Sequence, residues 1–273
     1  MTSAIAWGLG DFGGGLMSRR APLFGVVAVT QLVGMVVALV IAVARGEPLP
    51  TGPDLAWSIG AGLCGVVGMT SLYRGLAVGR MGVVAPATGV IGAVVPVLVG
   101  FALEGVPRAA TVAGIAVALI AVVLVTRAPG RGSDRPSGFE WALIAGIAIG
   151  GFNICIGQLS DAGQFGPLVV LRLVQSLVLV TLIVSWRQPW RLQRADLAKL
   201  SVIGVLDMLG NVAFISAAQV GALAVATILS SLYPVTTVLL ALVLLHEKVT
   251  RSHVAGIALT VAAIALIGIG TAA

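Results

Sequence analysis

The sequence predicts an all-α membrane protein with ten transmembrane helices arranged as two inverted five-helix repeats. Three observations carry that prediction. Charged residues are 10% of the 273 positions, 16 Lys+Arg and 10 Asp+Glu, where soluble domains carry about 25%. Apolar residues reach 59% without counting the 36 glycines, and mean hydropathy is +1.11, so no polar surface is large enough to cover such a core in water. Finally, the first half of the chain recurs in the second at an offset near 142 residues.

Apolar runs near the length of about 20 residues needed to cross a hydrocarbon core occur ten times. In order they cover Ala4 to Met17, Phe24 to Ala44, Leu55 to Tyr73, Met81 to Leu103, Ala109 to Thr126, Trp141 to Gly157, Leu168 to Trp186, Leu200 to Ala218, Ala222 to Leu245 and Val254 to Thr271. Of the charged residues, Asp11, Arg172 and Asp207 alone fall inside these runs. The first run has 14 residues, about 21 Å of helix, so either Met1 to Ser3 extend it or the chain starts further upstream. Its acid and the Gly13-Gly14-Gly15 run, with no basic segment ahead of them, argue against a cleaved signal peptide.

The repeat is read from paired residues. Ala77-Val78-Gly79 sits 142 positions before Gln219-Val220-Gly221, Gly114 the same distance before Gly256, Glu104 stands 143 before Glu247, and Gly10-Asp11-Phe12 stands 140 before Gly150-Gly151-Phe152. Residues 1–127 form one five-helix unit and 139–273 the second, joined by a polar, Pro/Gly-rich linker at 128–138. Five is odd, so the second unit enters the membrane upside down. Repeats of that kind place a solute site at their interface near the midplane, reached alternately from either side.

Two further features bear on the moving parts. Gly10/Gly14, Gly75/Gly79 and Gly146/Gly150 are spaced one turn apart and let helices approach closely. Pro86, Pro96 and Pro234 each fall inside an apolar run, where a missing N–H frees a carbonyl and permits a bend.

The stretch from Tyr233-Pro234-Val235-Thr236-Thr237 through His246-Glu247-Lys248-Val249-Thr250 to Gly256-Ile257-Ala258-Leu259 resembles the closing unit of EamA-type members of the drug/metabolite transporter superfamily. Trp7-Gly8 matches the family's start. In the first unit, Val84-Ala85-Pro86 through Leu103-Glu104-Gly105 to Ala113-Gly114-Ile115 fits more loosely, with prolines at Pro86 and Pro96 instead of one 13 residues before the glutamate. The resemblance covers essentially the whole chain and implies a ten-helix metabolite carrier. It leaves the solute open, because the superfamily moves amino acids, sugars, nucleotide sugars and drugs.

Candidate site residues follow from the cost of charge in lipid, about 2.5–3.5 kcal/mol per group at a helix centre unless it faces a cavity or a partner. Asp207 is near the middle of its run, and its repeat mate is Gly65; the mate of Asp11 is Gly151. Neither acid belongs to the shared pattern, which favours a specific role. Arg172 is the mate of Gln31, so both units place a strong hydrogen-bonding group there, though Arg172 is close enough to its helix end to snorkel. Asn153, Gln175, Asn211, Tyr233 and Trp7 supply neutral polar and aromatic groups at similar depth. Asp207 and Asn211 share one helix face, as do Arg172 and Gln175. Asp207 is the candidate proton-coupling acid. One cation beside two acids suits an amino-acid-like zwitterion, most simply exported; an organic cation, for which the acids alone suffice, is the competing solute class.

Other functions find less support. No GxSxG, HExxH or Walker sequence is present, and no paired acids or metal-ligand spacing, so no catalytic residue, metal or cofactor is assigned. Glu104 and Glu247 read as turn residues, Thr250 as the N-cap of the last helix, and His246 and His253 as solvated. Cys64 and Cys155 both fall inside apolar runs and form neither a disulfide framework nor a CxxC pair. Basic residues are scattered singly through loops, which argues against nucleic acid. A non-transporting membrane scaffold or regulatory subunit is the alternative that no motif excludes. Thirteen loop Lys/Arg lie on one side and two, Arg45 and Arg108, on the other, so the positive-inside rule puts the linker in the cytoplasm and both termini outside. The family resemblance implies the opposite, termini inside. A cell-membrane location is expected in either case; oligomeric state is left open.

Overall fold

The computed structural model describes residues 2–104, 109–127, 136–160, 163, 165–220, 232–246 and 251–272. Those residues form ten helices and no strand. They are α1 Thr2–Met17, α2 Leu23–Arg45, α3 Gly52–Val78, α4 Met81–Glu104, α5 Ala109–Arg127, α6 Phe139–Gly157, α7 Phe165–Ser185, α8 Arg194–Val220, α9 Tyr233–Leu245 and α10 Arg251–Ala272. Six of them, α2, α3, α4, α6, α7 and α8, are long and apolar enough to cross a membrane. At 16 residues, α1 is about 24 Å long.

Helix limits differ from the apolar runs where polar residues continue the helix. Both α3 and α8 have 27 residues, because the backbone ladder extends past the hydrocarbon into Gly52-Pro53-Asp54 and Arg194-Ala195-Asp196. Pro53 suits that start, since the first turn has no intrahelical acceptor for its missing N–H. The expected run from Ala222 is described from Leu232 onward, and α9 starts at Tyr233. Pro234 therefore occupies the first turn of α9, where it costs no ladder bond, and is not the interior kink expected from the sequence; Pro86 and Pro96 do lie inside α4. Glu104 is the last residue of α4 and not part of the following turn. Thr250, Glu247 and residues 128–135 of the linker lie outside the described residues. At the end of α2, Gly46 takes φ +65°, and the Glu47 N–H closes on Ala42 O at 2.9 Å, a left-handed stop that glycine adopts without Cβ strain.

Many large apolar side chains point outward, while several polar ones are turned inward. Val43 is 71% and Val184 70% exposed, whereas Gln31, Thr88, Thr237 and Gln175 are buried, the distribution expected for a bundle solvated by lipid. The second unit packs on the first through matched helix pairs. Helix α3 packs on α6 and α1 on α8; α4 on α6 and α1 on α9; α3 on α7 and α2 on α8; and α2 meets α7, α4 meets α9, and α5 meets α10. Exchanging each helix for the one five places away returns the same set; a smaller contact of α4 with α10 stands outside it.

Glycine makes these contacts close. Along the antiparallel α3–α6 seam, a Cβ at Gly68 would stand 3.0 Å from Ile149 Cγ1, one at Gly75 3.0 Å from Trp141 Cβ, and one at Gly79 2.8 Å from the Cα of Gly138. Gly8 of α1 lies under α9, where the buried Thr237 hydroxyl donates to Gly8 O at 3.2 Å. Gly14 receives the ring of Tyr73, and a Cβ there would overlap it. Gly14→Ala should therefore lower stability by about 1–3 kcal/mol, the usual cost of overpacking, read as a lower unfolding temperature in detergent. An unchanged midpoint would show that Tyr73 moves aside freely.

Candidate functional site

The buried polar groups converge where α1, α2, α3, α7, α8 and α9 meet. Arg172 on α7 is 6% exposed, so it does not snorkel. Its Nη1 donates to Gln31 Oε1 on α2 and its Nη2 to Asp207 Oδ2 on α8, with Met208 Sδ at 4.0 Å. Gly34, one turn along α2 from Gln31, leaves the space the guanidinium occupies: a Cβ there would stand 3.4 Å from Arg172 Cζ. Two repeat mates, Gln31 and Arg172, thus touch each other.

Asp207 is held from its backbone as well. Its carbonyl accepts from Trp7 Nε1 at 3.2 Å and from Asn211 Nδ2 at 2.8 Å. Trp7 lies over Gly210, with its ring 6.1 Å from Phe214 and edge-on to Tyr233 at 6.3 Å. Asp11 completes the group: its carboxyl acts electrostatically on Asp207, Tyr73 and Tyr233. Tyr73 is buried beside Thr30 of α2, whose hydroxyl donates to Val27 O at 3.0 Å. One carboxyl, Asp207, therefore holds the guanidinium, with the second, Asp11, acting on it among aromatic rings. Arg172 Nε and, on the same helix, Gln175 Oε1 are buried without a hydrogen-bond partner among the described residues.

Of the residues expected from the sequence, Trp7, Asp11, Arg172, Asp207, Asn211 and Tyr233 come together. Gln175 is turned away from Asp207, and its amide fills the space over Gly65 of α3. The shared face of Arg172 and Gln175 thus divides between two neighbouring helices. Asn153 is exposed on α6 and takes no part in this contact chain, because the face of α6 toward α3 is taken by Gly151 and Cys155. Asn211 bonds its own helix's carbonyl one turn back. Tyr73 and Thr30 were not expected, and Gln31 only as a mate of Arg172. Among the described residues no group of three or more His, Cys, Asp or Glu is placed to hold a metal ion.

Both ends of the interface are closed in related ways. On the face carrying the N-terminus, the backbone of Gly166 at the start of α7 sits under Pro48, and Leu49 Cα lies 3.6 Å from where its Cβ would stand. On the opposite face Gly25 of α2 sits against Trp190 and Leu192, with Leu192 Cγ at 3.0 Å from the same position. The first closure is also crossed by carboxylates. Glu47 Oε2 accepts from the N–H of Phe165 at 2.6 Å and of Gly166 at 3.4 Å, while Oε1 pairs with Arg45 Nε at 3.1 Å. Asp54 Oδ1 accepts from Ser160 N at 3.1 Å and Oδ2 from Ser160 Oγ at 2.5 Å. Glu47 thereby serves the unsatisfied donors of a helix N-terminus, where negative charge is favoured.

Apolar helices packed through glycine around a buried ion pair define a multi-pass integral membrane protein. The sequence matches the EamA-like transporter family over residues 1–127 and 136–269, and the chain belongs to that family. It is accordingly a membrane transporter of the drug/metabolite transporter superfamily. A crystal structure titled only as that of a protein superposes with a TM-score of 0.61 at 19% identity, covering 97% of this chain and 93% of the other, a likeness of fold. No curated protein matches the sequence.

Proposed function

We propose that the protein is a secondary-active or facilitative carrier of a small, amino-acid-like metabolite, working in the cell membrane by alternating access and serving export. The two moving bodies are residues 1–127 and 139–273, linked by 128–138 and inverted with respect to each other. The observation that carries this reading is the Arg172–Gln31 contact beside Asp207: residues one repeat apart meet only near an axis relating the halves. The helix pairs that map onto one another under a five-helix shift support the same arrangement. The solute binds by displacing protein partners of Arg172, its carboxylate taking the guanidinium while its ammonium faces Asp11 and Asp207. Trp7 and Tyr233 accept its side chain, Gln175 Oε1 offers a further acceptor, and a proton on Asp207 supplies the coupling. Uptake of a panel of labelled neutral amino acids and small organic cations into proteoliposomes, with and without a pH gradient, tests it. No flux of any of them above empty vesicles counts for the scaffold alternative.

The charge bias places the linker in the cytoplasm. Arg131→Cys in a Cys64→Ser, Cys155→Ser background should resist an impermeant maleimide added to intact cells and react after lysis. Labelling from outside reverses the orientation and supports termini in the cytoplasm.

A further inference from the structure

The two cysteines of the chain, 91 positions apart, meet inside the membrane at the α3–α6 seam, and they belong to different halves. Cys64 stands over Gly151, whose Cβ would lie 3.1 Å from its Sγ; Cys155 stands over Gly60, with the corresponding distance 3.2 Å. Gly60 and Cys64 are one turn apart on α3, and Gly151 and Cys155 are one turn apart on α6. On antiparallel helices this diagonal turns both sulfurs toward the same stretch of the seam, where the two thiols act on each other. Each sulfur lies over a residue without a side chain, which lets the two backbones approach closely at this point of the seam. Neither thiol is sealed in the core, and the neighbouring Leu63 and Val67 are each 48% exposed toward the hydrocarbon.

We propose that Cys64 and Cys155 form a dithiol whose oxidation ties α3 to α6, and so one half of the protein to the other, by a reversible disulfide. The oxidant that fits an apolar seam is an organic hydroperoxide of the kind formed on oxidised acyl chains. One thiol sulfur attacks the outer peroxide oxygen; the O–O bond breaks, the alcohol leaves with a proton, and a sulfenic acid remains. The second sulfur displaces that oxygen as water, forming the S–S bond. Two thiols are oxidised by two electrons, and one peroxide is reduced to alcohol and water. Adjacency supplies the resolving thiol, which diverts the sulfenic acid from irreversible over-oxidation.

The test treats the full chain in liposomes with cumene hydroperoxide, then counts free thiols by denaturing maleimide-polymer gel shift and maps cross-linked peptides by mass spectrometry. The wild type should pass from two labels to none, recover both with dithiothreitol, and yield a Cys64–Cys155 linked peptide in the monomer band. In Cys64→Ser and Cys155→Ser no linked peptide should form, and any loss of the remaining thiol should pass to sulfinic or sulfonic acid that dithiothreitol does not reverse. In the wild type, two labels persisting after treatment, disulfides found only between molecules, or loss that dithiothreitol does not reverse would each overturn the proposal. The outcome is independent of which solute is carried.

Discussion

Arg172→Gln is expected to weaken binding of an amino-acid probe by about 10- to 150-fold, the worth of one charge-assisted hydrogen bond at roughly 1.5–3 kcal/mol. The guanidinium is placed to present a planar fork to a carboxylate, and its Nε has no hydrogen-bond partner among the described residues. An organic cation probe such as choline should bind the variant as well as or better than the wild type if that class is the true solute, because a repelling charge has gone; tighter choline binding would therefore overturn the zwitterion assignment. Removing one member of a buried pair also leaves Asp207 and Gln31 without their donor, a destabilisation of about 3–5 kcal/mol where the site stays dry. The double variant Arg172→Gln, Asp207→Asn separates the effects. It removes the orphaned charge, so it should recover much of the thermal stability and none of the amino-acid affinity.

Asp207→Asn is expected to abolish solute movement driven by a pH gradient while leaving exchange of labelled for unlabelled solute in place. Asp207 Oδ2 is bonded to Arg172, so a proton and the guanidinium compete for one carboxylate. A solute carboxylate that takes Arg172 leaves Asp207 open to a proton, and deprotonation restores the pair. Asparagine keeps the shape and cannot carry the proton. Accumulation against a pH gradient by this variant would remove Asp207 from the coupling role, and Asp11→Asn is then the next variant, since Asp11 is electrostatically tied to the same acid. Loss of both gradient-driven flux and exchange would indicate a structural role instead.

The membrane class, most helix positions and the two intramembrane acids were legible because charge in lipid is rare enough for three residues to stand out. The pairing of Gln31 with Arg172 was half legible: the offset marked them as equivalent, though only packing brings equivalents together. Tyr73 was hidden because a tyrosine at the edge of an apolar run reads as an interfacial anchor, and only Gly14, 59 positions away, opens room for its ring. Asn153 was misplaced for the opposite reason. Depth along a helix can be counted from a sequence, but which face meets a neighbour depends on the helix's rotation, and α6 turns its glycine and cysteine side inward. Glu47 and Asp54 look like ordinary loop acids until the fold sets them against the ends of another repeat.

Glu47 and Asp54 make the closures unequal. The backbone contacts at Gly166 and Gly25 correspond, yet among the described residues carboxylates cross only the one beside Pro48. Under alternating access the unloaded protein then rests unevenly between its two openings, with the Glu47 face shut for more of the time. Such a bias cannot create net flow, since for an uncoupled solute microscopic reversibility keeps the ratio of maximal rate to half-saturation the same in both directions. What it sets is the concentration scale on each side. Glu47→Gln should shift the half-saturation constants of the two faces in opposite senses, each matched by its maximal rate, so that a residue the solute never meets determines over which range of concentrations either compartment is sensed.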